Sequence, residues 1–455
     1  MLEVFLARAL DFLLFWGVWL LAPLVIDLST AVVYFSTLLL FRGREVKPGS
    51  ELDYYPFVTV VVPVYNSAGT LYKCLKSLAE QSYPGNLIQA VCVNNGSRDN
   101  SFEVYKQFQA DHPDFLLMWE SLDRPGKSMA LNVGLYSGQG DYLINLDSDT
   151  WLDRDAILNT VRAFEADGTL VAATGNIRVD KELGRGSDFI DIINYCEVAE
   201  YLIAFDVGRR YQNLTNTLFT LSGAFSAFRR RTILQSHLYQ ERTVSEDTDL
   251  TFNIRKAAAG GRGRVGYIKN ATAYVEPIES LTRLYSQRVR WQRGEIEVMS
   301  SYYCKVPSAA KALFEYWGRI LISDHTLAFS RLTWTFLLPF LYFLGYPLAT
   351  VMVGMIGLFF IYFLIDALYF ALAYRSVDEG YQKELKKVWW VVFFLPFYRY
   401  LSYWFRLAGI IIEMTESRSW RTESPVKQLV DMIRGLKPGW PRGLSFNKGG
   451  RSIEG

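Results

Sequence analysis

The run VTVVVPVYNSAG at residues 58–69 sets the expectation for the fold. Its first eight residues are almost all apolar and mostly β-branched, which is typical of a strand buried on both faces of a sheet. A polar turn follows, and residues 70–80 then show the apolar spacing of a helix. The stretch therefore predicts strand, loop and helix in succession, as in an α/β domain with a parallel sheet.

Two later apolar runs extend this pattern. Residues 88–93 lead into Asn94, Asn95 and Gly96, and residues 142–146 end at Asp147-Ser148-Asp149. Because ligands of parallel α/β sheets bind beyond the carboxyl ends of the strands, we expect these loops to share one site. Two carboxylates one residue apart can hold Mg²⁺ or Mn²⁺ against a diphosphate, although Asp-Ser-Asp is also a common turn composition.

A basic loop and an acidic cluster add candidate groups. Arg124 and Lys127 precede or open a helix, where they can neutralise phosphate charge, although a solvated loop has the same composition. The segment SEDTD at residues 245–249 opens another helical run, and helix capping explains only part of its acidity. Asp247 is predicted to be the general base that deprotonates an acceptor hydroxyl, with Glu246 as the second choice.

A final motif, QRVRW at residues 287–291, falls on a predicted helix. The ring of Trp291 offers a flat apolar face to a sugar, and Gln287, Arg288 and Arg290 supply donors for hydroxyls or phosphate. The same composition also suits an anchor at a membrane interface.

Apolar segments flank the α/β region. They occupy residues 10–41, 326–346, 348–374 and 388–412, and the first is too long for a cleaved signal peptide. The last carries Pro396, Arg399 and Arg406, which predicts a kink or a polar path. Helices within residues 280–325 suit a membrane interface and a soluble core equally well.

These features divide the chain into five regions, and neighbouring basic residues place the α/β region in the cytoplasm. The predicted regions are residues 1–50 (one long or two short transmembrane helices), 51–279 (cytoplasmic domain), 280–325 (interface helices), 326–413 (transmembrane region) and 414–455 (cytoplasmic tail).

Composition excludes several other classes. The chain has 455 residues and a formal net charge of only +2, unlike the basic surface of a nucleic-acid binder. Its four cysteines form no Cys-x-x-Cys pair and its three histidines are scattered, which argues against a zinc site or a disulfide scaffold.

Taken in order, these residues resemble the family 2 glycosyltransferases, and within them the membrane synthases of cellulose, hyaluronan, chitin and poly-N-acetylglucosamine. The resemblance covers residues 55–300 and implies a GT-A-like, mostly parallel sheet. It implies that Asp147 and Asp149 bind the metal and the diphosphate, and that Asp247 is the base. The implied nucleotide-sugar residues are Pro63, Tyr65, Asn66, Asn94, Asn95, Arg124, Lys127 and Asp147; those for acceptor and diphosphate are Gly223, Gln287, Arg288, Arg290, Trp291 and Trp420.

The sequence departs from the family pattern in three places. Asn94-Asn95-Gly96 stands where the family has Asp-Asp-Gly against the uracil, Ser245 replaces a threonine, and residues 419–422 only partly resemble a Trp-Gly-Thr-Arg motif. The first departure puts base recognition in question, although an amide can still hydrogen-bond a base edge.

By resemblance, the expected protein is an inverting, metal-dependent, processive β-glycosyltransferase of the bacterial plasma membrane. It would polymerise a UDP-sugar into an extracellular or capsular polysaccharide and translocate the chain, with membrane lipid and an accessory export subunit as further partners and no nucleic acid. Two alternatives stay open. One is a single-addition enzyme acting on a membrane lipid, and the other is an inactive sugar-nucleotide-binding protein, which would require loss of an essential carboxylate.

Overall fold

The computed structural model describes residues 24–40, 51–259, 263–303 and 336–415. In this part of the chain an eight-stranded sheet forms the centre of the molecule. Its strands are β1 (Val58–Val64), β2 (Ile88–Asn94), β3 (Leu116–Ser121), β4 (Tyr142–Leu146), β5 (Thr150–Leu152), β6 (Leu170–Val179), β7 (Phe225–Arg229) and β8 (Arg264–Val275).

Helices pack on the sheet and continue beyond it. Up to the last strand they are α1 (Ser29–Leu40), α2 (Leu71–Ala79), α3 (Ser101–Asp111), α4 (Lys127–Ser137), α5 (Ala156–Ala166), α6 (Phe189–Tyr201), α7 (Arg209–Leu214), α8 (Arg230–Gln235) and α9 (Glu246–Ala259). Those that follow are α10 (Leu281–Tyr303), α11 (Leu348–Ser376), α12 (Glu379–Lys386) and α13 (Leu395–Thr415). A π-helix (Leu24–Leu28) precedes α1 and another (Leu202–Gly208) joins α6 to α7, with 3-10 turns at Gly85–Leu87 and Trp389–Phe393.

The sheet is mixed, with strand order β3-β2-β1-β4-β7-β6-β8-β5. The first four strands are parallel to their neighbours, as is the β6–β8 pair, but β7 runs antiparallel to β4 and β6, and β5 runs antiparallel to β8. The prediction of a mostly parallel sheet is therefore confirmed in part, since four of the seven strand pairs are parallel and three are antiparallel. Beyond β4 the order in sequence no longer follows the order in space.

Local sequence explains the first half of the sheet. All seven residues of β1 are buried, which accounts for its continuous apolar run. Helix α2 buries positions at helical spacing, namely Leu71, Cys74, Leu75 and Leu78. Helix α4 lies directly on β1, since a Cβ on Gly134 would collide with the side chain of Val61. This close approach directs the amino end of α4, at Lys127, to the carboxyl edge of the sheet.

The C-terminal helices pack on one another and on the sheet domain. Helix α10 lies along α13, and the π-helix Leu202–Gly208 contacts α11. Among the described residues, α11 alone is long and apolar enough to cross a membrane, at 29 residues and about 43 Å. A core helix of a soluble protein can have the same length and composition.

The other predicted apolar segments are described only in part. Residues 24–40 of the first segment are helical, and α1 is a shorter apolar helix of 12 residues. The segment at 388–412 is broken into the turn Trp389–Phe393 and α13, with the break just before Pro396. Residues 1–23, 41–50, 260–262, 304–335 and 416–455, the last of which include Trp420, lie outside the described residues.

Candidate active site

The carboxyl ends of β1, β2 and β4 meet at one edge of the sheet. Asp147 directly follows β4, and its backbone N–H donates to Ala224 O at 3.3 Å. The hydroxyls of Ser148 and Ser67 lie 2.7 Å apart, which fastens the loop after β4 to the loop after β1. The neighbouring Asp149 is exposed. The paired carboxylates therefore lie where the sequence predicts, at a strand end facing the binding edge.

Lys127 joins this edge to helix α9. Its Nζ lies 3.0 Å from Asp147 Oδ1 and 3.3 Å from Glu246 Oε1. Burial by itself would lower the pKa of Lys127, but the two carboxylates raise it, so the ammonium stays charged. Burial raises the pKa of Asp147 to about 6, against the opposing effect of Lys127. The lysine thus offers a fixed positive charge to an anionic ligand.

Asp247 is held by two backbone amides. The N–H of Gly223 donates to Oδ2 at 3.1 Å, and the N–H of Thr248 donates to Oδ1 at 2.7 Å. Burial, and then the neighbouring Glu246, raise the pKa of Asp247, while Lys127 lowers it. A carboxylate with a raised pKa and a fixed orientation is suited to general base catalysis.

These groups converge on a point beside Gly223. A Cβ built on this glycine would lie 3.6 Å from Asp247 Oδ2, 3.6 Å from Lys127 Nζ and 3.8 Å from Asp147 Oδ2. The predicted base, the basic loop and the first aspartate of the metal pair therefore face one small space.

The three asparagines at the edge brace its loops. Asn95 Oδ1 accepts from the N–H of Gly126, which joins the end of β2 to the start of α4. Because a backbone N–H can only donate, the amide NH₂ of Asn95 must point the other way. The side-chain oxygens of Asn94 and Asn66 accept from the N–H groups of Ser97 and Arg98 respectively, each at 2.9 Å.

The other predicted nucleotide residues lie along the same edge. Pro63 is buried in β1, while Tyr65 is exposed just beyond the strand. Arg124 is exposed in the loop before α4. Their roles toward a nucleotide stay predictions.

Helix α10 approaches the start of α9 very closely. A Cβ on Gly294 would collide with the hydroxyl of Ser245, and Glu297 Oε2 accepts from the N–H of Val244 at 2.7 Å. This contact brings the segment at 287–291 to the site. Burial lowers the pKa of Arg290, and the charges of Glu246, Asp147 and Asp149 oppose that effect, so Arg290 lies within electrostatic range of these acidic groups.

Arg288 and Trp291 contact a different set of residues, which includes Glu200. The Arg288 guanidinium binds Glu200 and donates to the hydroxyl of Tyr398 at 3.0 Å, and it lies 4.3 Å from the centre of the Trp291 ring. Gln287 hydrogen-bonds Tyr201. The two arginines of the QRVRW segment therefore have different neighbours. Arg290 lies near Glu246 and Asp147, whereas Arg288 lies beside Trp291.

A cavity of about 380 Å³ lies between the π-helix Leu202–Gly208, α10 and α13. Trp291 is 41% exposed and lines it. Glu200 and Tyr398 also line it and were missed by sequence reasoning, since they are 198 positions apart and belong to no motif. The other polar lining residues are Arg288, Gln292, Glu295, Arg399, Ser402, Tyr403 and Arg406.

The donor set of Asp147 and Asp149 fits Mg²⁺ or Mn²⁺. The described residues hold no group of three or more histidine, cysteine or acidic side chains placed to bind a metal. Mg²⁺ is commonly held by one or two carboxylates together with substrate phosphates and water, so two oxygen-donor side chains suffice. These two residues would hold the ion only together with a diphosphate.

Paired carboxylates, a half-buried lysine and an oriented aspartate thus lie at the carboxyl edge of a sheet with a GT-A-like α/β fold. Residues 59–235 match the family model described as Glycosyl transferase family 2. This part of the chain is therefore a family 2 glycosyltransferase domain, and the class of enzyme expected from the motifs is correct.

Curated relatives include two bacterial synthases. The chain is 26% identical over 290 residues to a poly-β-1,6-N-acetyl-D-glucosamine synthase of Staphylococcus aureus, covering 64% of this chain and 66% of that protein. It is 26% identical over 257 residues to the synthase of the same name from Staphylococcus epidermidis, covering 56% and 59%. The match thus spans just under two thirds of the length of the first of these relatives.

A solved structure shares the fold. It is a mannosyltransferase from Pyrobaculum calidifontis in complex with GDP-Man and Mn²⁺, with a TM-score of 0.53 and 18% identity over 87% of this chain and 99% of that one.

Proposed function

We propose that the protein is an inverting β-glycosyltransferase that transfers sugar from a UDP-sugar to the end of a growing polysaccharide. The observation that carries this proposal is the convergence of Asp247, Lys127 and Asp147 beside Gly223. A base for the acceptor and charges for the leaving diphosphate are both needed within reach of one anomeric carbon.

Asp247 takes the proton of the acceptor hydroxyl. The acceptor oxygen forms a bond to the anomeric carbon as the bond from that carbon to the phosphate oxygen breaks, and UDP leaves. The amides of Gly223 and Thr248 fix both carboxylate oxygens, so the base is oriented before substrate binds. Direct displacement inverts the anomeric configuration.

Positive charge stabilises the leaving diphosphate. Lys127 lies against Asp147, and Arg290 approaches the same acids from α10. Asp147 and Asp149 would hold Mg²⁺ or Mn²⁺, which supplies Lewis-acid stabilisation of the phosphate oxygens when bound. Fixed charges aimed at a developing negative charge are usually a large contribution to rate.

The cavity beside Trp291 is the proposed place of the acceptor saccharide. An exposed indole face can stack on a sugar ring, and Arg288, Glu200 and Tyr398 supply donors and acceptors for its hydroxyls. The likeness to poly-β-1,6-N-acetyl-D-glucosamine synthases supports a polymeric product and makes UDP-N-acetylglucosamine the first donor to test. Processive addition and export of the chain are parts of this proposal.

Membrane insertion is proposed through α11. Its exposed side chains include Met352, Val353, Ile356, Phe360 and Leu364, all apolar. Its acidic residue Asp366 is instead fully buried and pairs with Arg399 of α13 at 2.5 Å. Apolar residues outside and an ion pair inside are the arrangement expected of a helix in lipid.

The test is product analysis of the purified full chain in lipid nanodiscs. It is incubated with a panel of UDP-sugars and GDP-mannose, with Mg²⁺, Mn²⁺ or EDTA, and products are sized and then digested with linkage-specific glycosidases. A long polymer formed from one UDP-sugar supports the proposal. A short lipid-linked product assigns the single-addition alternative, and absence of turnover with every donor refutes both.

A further inference from the structure

The loop that supports Asp247 is held along its whole length. Residues 220–223 join the π-helix and α7 region to β7, and each of these four residues is fixed through its backbone. The hydrogen bonds are Arg209 to Thr220 O (2.9 Å), Leu221 N–H to Thr251 (2.8 Å), Ser222 N–H to Thr174 (3.2 Å), Gly223 N–H to Asp247 (3.1 Å) and Asn145 to Gly223 O (2.7 Å).

Arg209 is the unusual member of this set. It is only 4% exposed, and among the described residues no carboxylate lies within ion-pair distance of it. Its pKa is lowered to about 10 by burial, so the guanidinium is still charged at neutral pH. Burying a cation without an anionic partner is unfavourable, and no step of the proposed reaction uses the charge of Arg209.

Arg209 also lies at the end of the element that lines the acceptor cavity. It directly follows the π-helix Leu202–Gly208, whose Ile203 and Ala204 line the cavity. The ring of Phe205 lies 4.9 Å from the Arg209 guanidinium and 6.5 Å from the ring of Trp291. π-helical turns within longer helices are frequent at functional sites.

We propose that Arg209 is a positioning residue that connects the acceptor cavity to the catalytic base. By holding Thr220 O it keeps the Gly223 N–H directed at Asp247, and through Phe205 it ties that loop to the wall bearing Trp291. This inference rests on the proposed function. Its consequence is specific: without Arg209 the catalytic base Asp247 moves, while Lys127 and Asp147, which are proposed to bind the sugar donor, stay in place.

The experiment compares Arg209→Met, Arg209→Gln and Arg209→Lys in the full chain. We expect Met and Gln to lower kcat about 10- to 100-fold, because a displacement near 1 Å costs about this much. The KM for the donor and the affinity for UDP should change by less than about twofold, since donor contacts are unaffected. Lysine should restore most of kcat, because its ammonium can donate to Thr220 O.

The matched control is Arg229→Met. Arg229 also donates to backbone carbonyls, those of Leu170 (2.8 Å), Phe164 and Asp167, and its guanidinium lies 5.4 Å from the ring of Phe164. It pairs with Tyr142 at the start of β4, the opposite end of that strand from Asp147. Loss of this arginine should leave the kcat of the folded enzyme unchanged.

Each result distinguishes a positioning role of Arg209 from a purely structural role. Wild-type kcat in folded Arg209→Met overturns the proposal, as does an equal loss of kcat and UDP affinity. Failure of lysine to outperform methionine, or failure of both Met and Gln variants to fold, assigns Arg209 a purely structural role. If the wild-type chain transfers no sugar, the proposed function itself fails, and the two failures are thereby distinguished.

Discussion

Replacing Gly223 by alanine tests the convergence point with a single methyl group. The new Cβ would lie 3.6 to 3.8 Å from Asp247, Lys127 and Asp147, which is ordinary van der Waals contact. The backbone at Gly223 is not in the left-handed region, so alanine can adopt it. We therefore expect the free energy of unfolding to stay equal or rise by up to about 1 kcal/mol, because alanine restricts the unfolded chain.

Activity should behave differently from stability. The methyl group fills space that the acceptor hydroxyl and the anomeric carbon must share, with their reacting atoms about 3 to 3.5 Å apart. A displacement of about 1 Å lowers the rate about 100-fold, which corresponds to about 2.7 kcal/mol of transition-state stabilisation. Binding of UDP should survive, since the loops after β1 and β2, which are predicted to bind the uracil, lie elsewhere on the carboxyl edge of the sheet.

The assay combines initial rates of sugar transfer, UDP titration and thermal unfolding. Gly69→Ala is the matched control, since a Cβ at Gly69 meets no atom within 4 Å. The control should retain both kcat and melting temperature. Wild-type kcat in Gly223→Ala at saturating substrate would refute the assignment of this point as the reaction centre.

Three further changes probe separate groups. Asp247→Asn should lower kcat by about 10²- to 10⁴-fold with UDP binding intact, because it removes a general base, and single-turnover kinetics with appreciable transfer would contradict that role. Asp149→Ala, at an exposed side chain, should leave melting unchanged but abolish metal-stimulated transfer, so a variant still activated by Mn²⁺ would exclude Asp149 as a ligand. Glu197→Gln should stabilise the protein at alkaline pH. Burial raises the pKa of Glu197 from 4.5 to about 7, so the folded state binds the proton of this carboxyl more tightly than the unfolded state does. The wild-type protein therefore loses stability as the pH rises from about 4.5 to about 7. Glutamine keeps an acceptor for the N–H of Ile278, and the gain over wild type should grow from near zero at pH 4 to about 3 kcal/mol at pH 8, whereas a gain independent of pH in denaturant titrations would show that Glu197 is not the titrating group.

Much of the carboxyl edge of the sheet was predictable because the sequence patterns that indicate it are local. The strand predicted at 58–65 is β1, and the one at 142–146 is β4 with Asp147 directly after it. The SEDTD segment opens α9 as its capping residues indicate. Periodicity and turn chemistry act over a few residues, so they can be recognised without knowing what packs against them.

The sequence could not predict which neighbours each side chain of the QRVRW segment has. Neighbouring side chains on a helix point in different directions, but which faces the acids depends on how α10 packs against α9 and α13. The charges of Glu246 and Asp147 act on Arg290, whereas Arg288 binds Glu200 and Tyr398. The role of Asp249 was equally hidden, since this third acid is fully buried and pairs with Arg242 at 2.5 Å, away from the reaction centre.

By itself, then, the sequence determined the α/β class, the carboxyl edge of the sheet as the candidate site, and the acidic and basic residues predicted to lie there. These depend on hydrophobic period and on the rule that parallel strands end at one edge. Only the tertiary structure decided the antiparallel placement of β7 between β4 and β6, the cavity beside Trp291 and the burial of Arg209 under the base loop. These features join segments far apart in the chain, and such contacts are selected by the packing of the whole domain, so no local pattern encodes them.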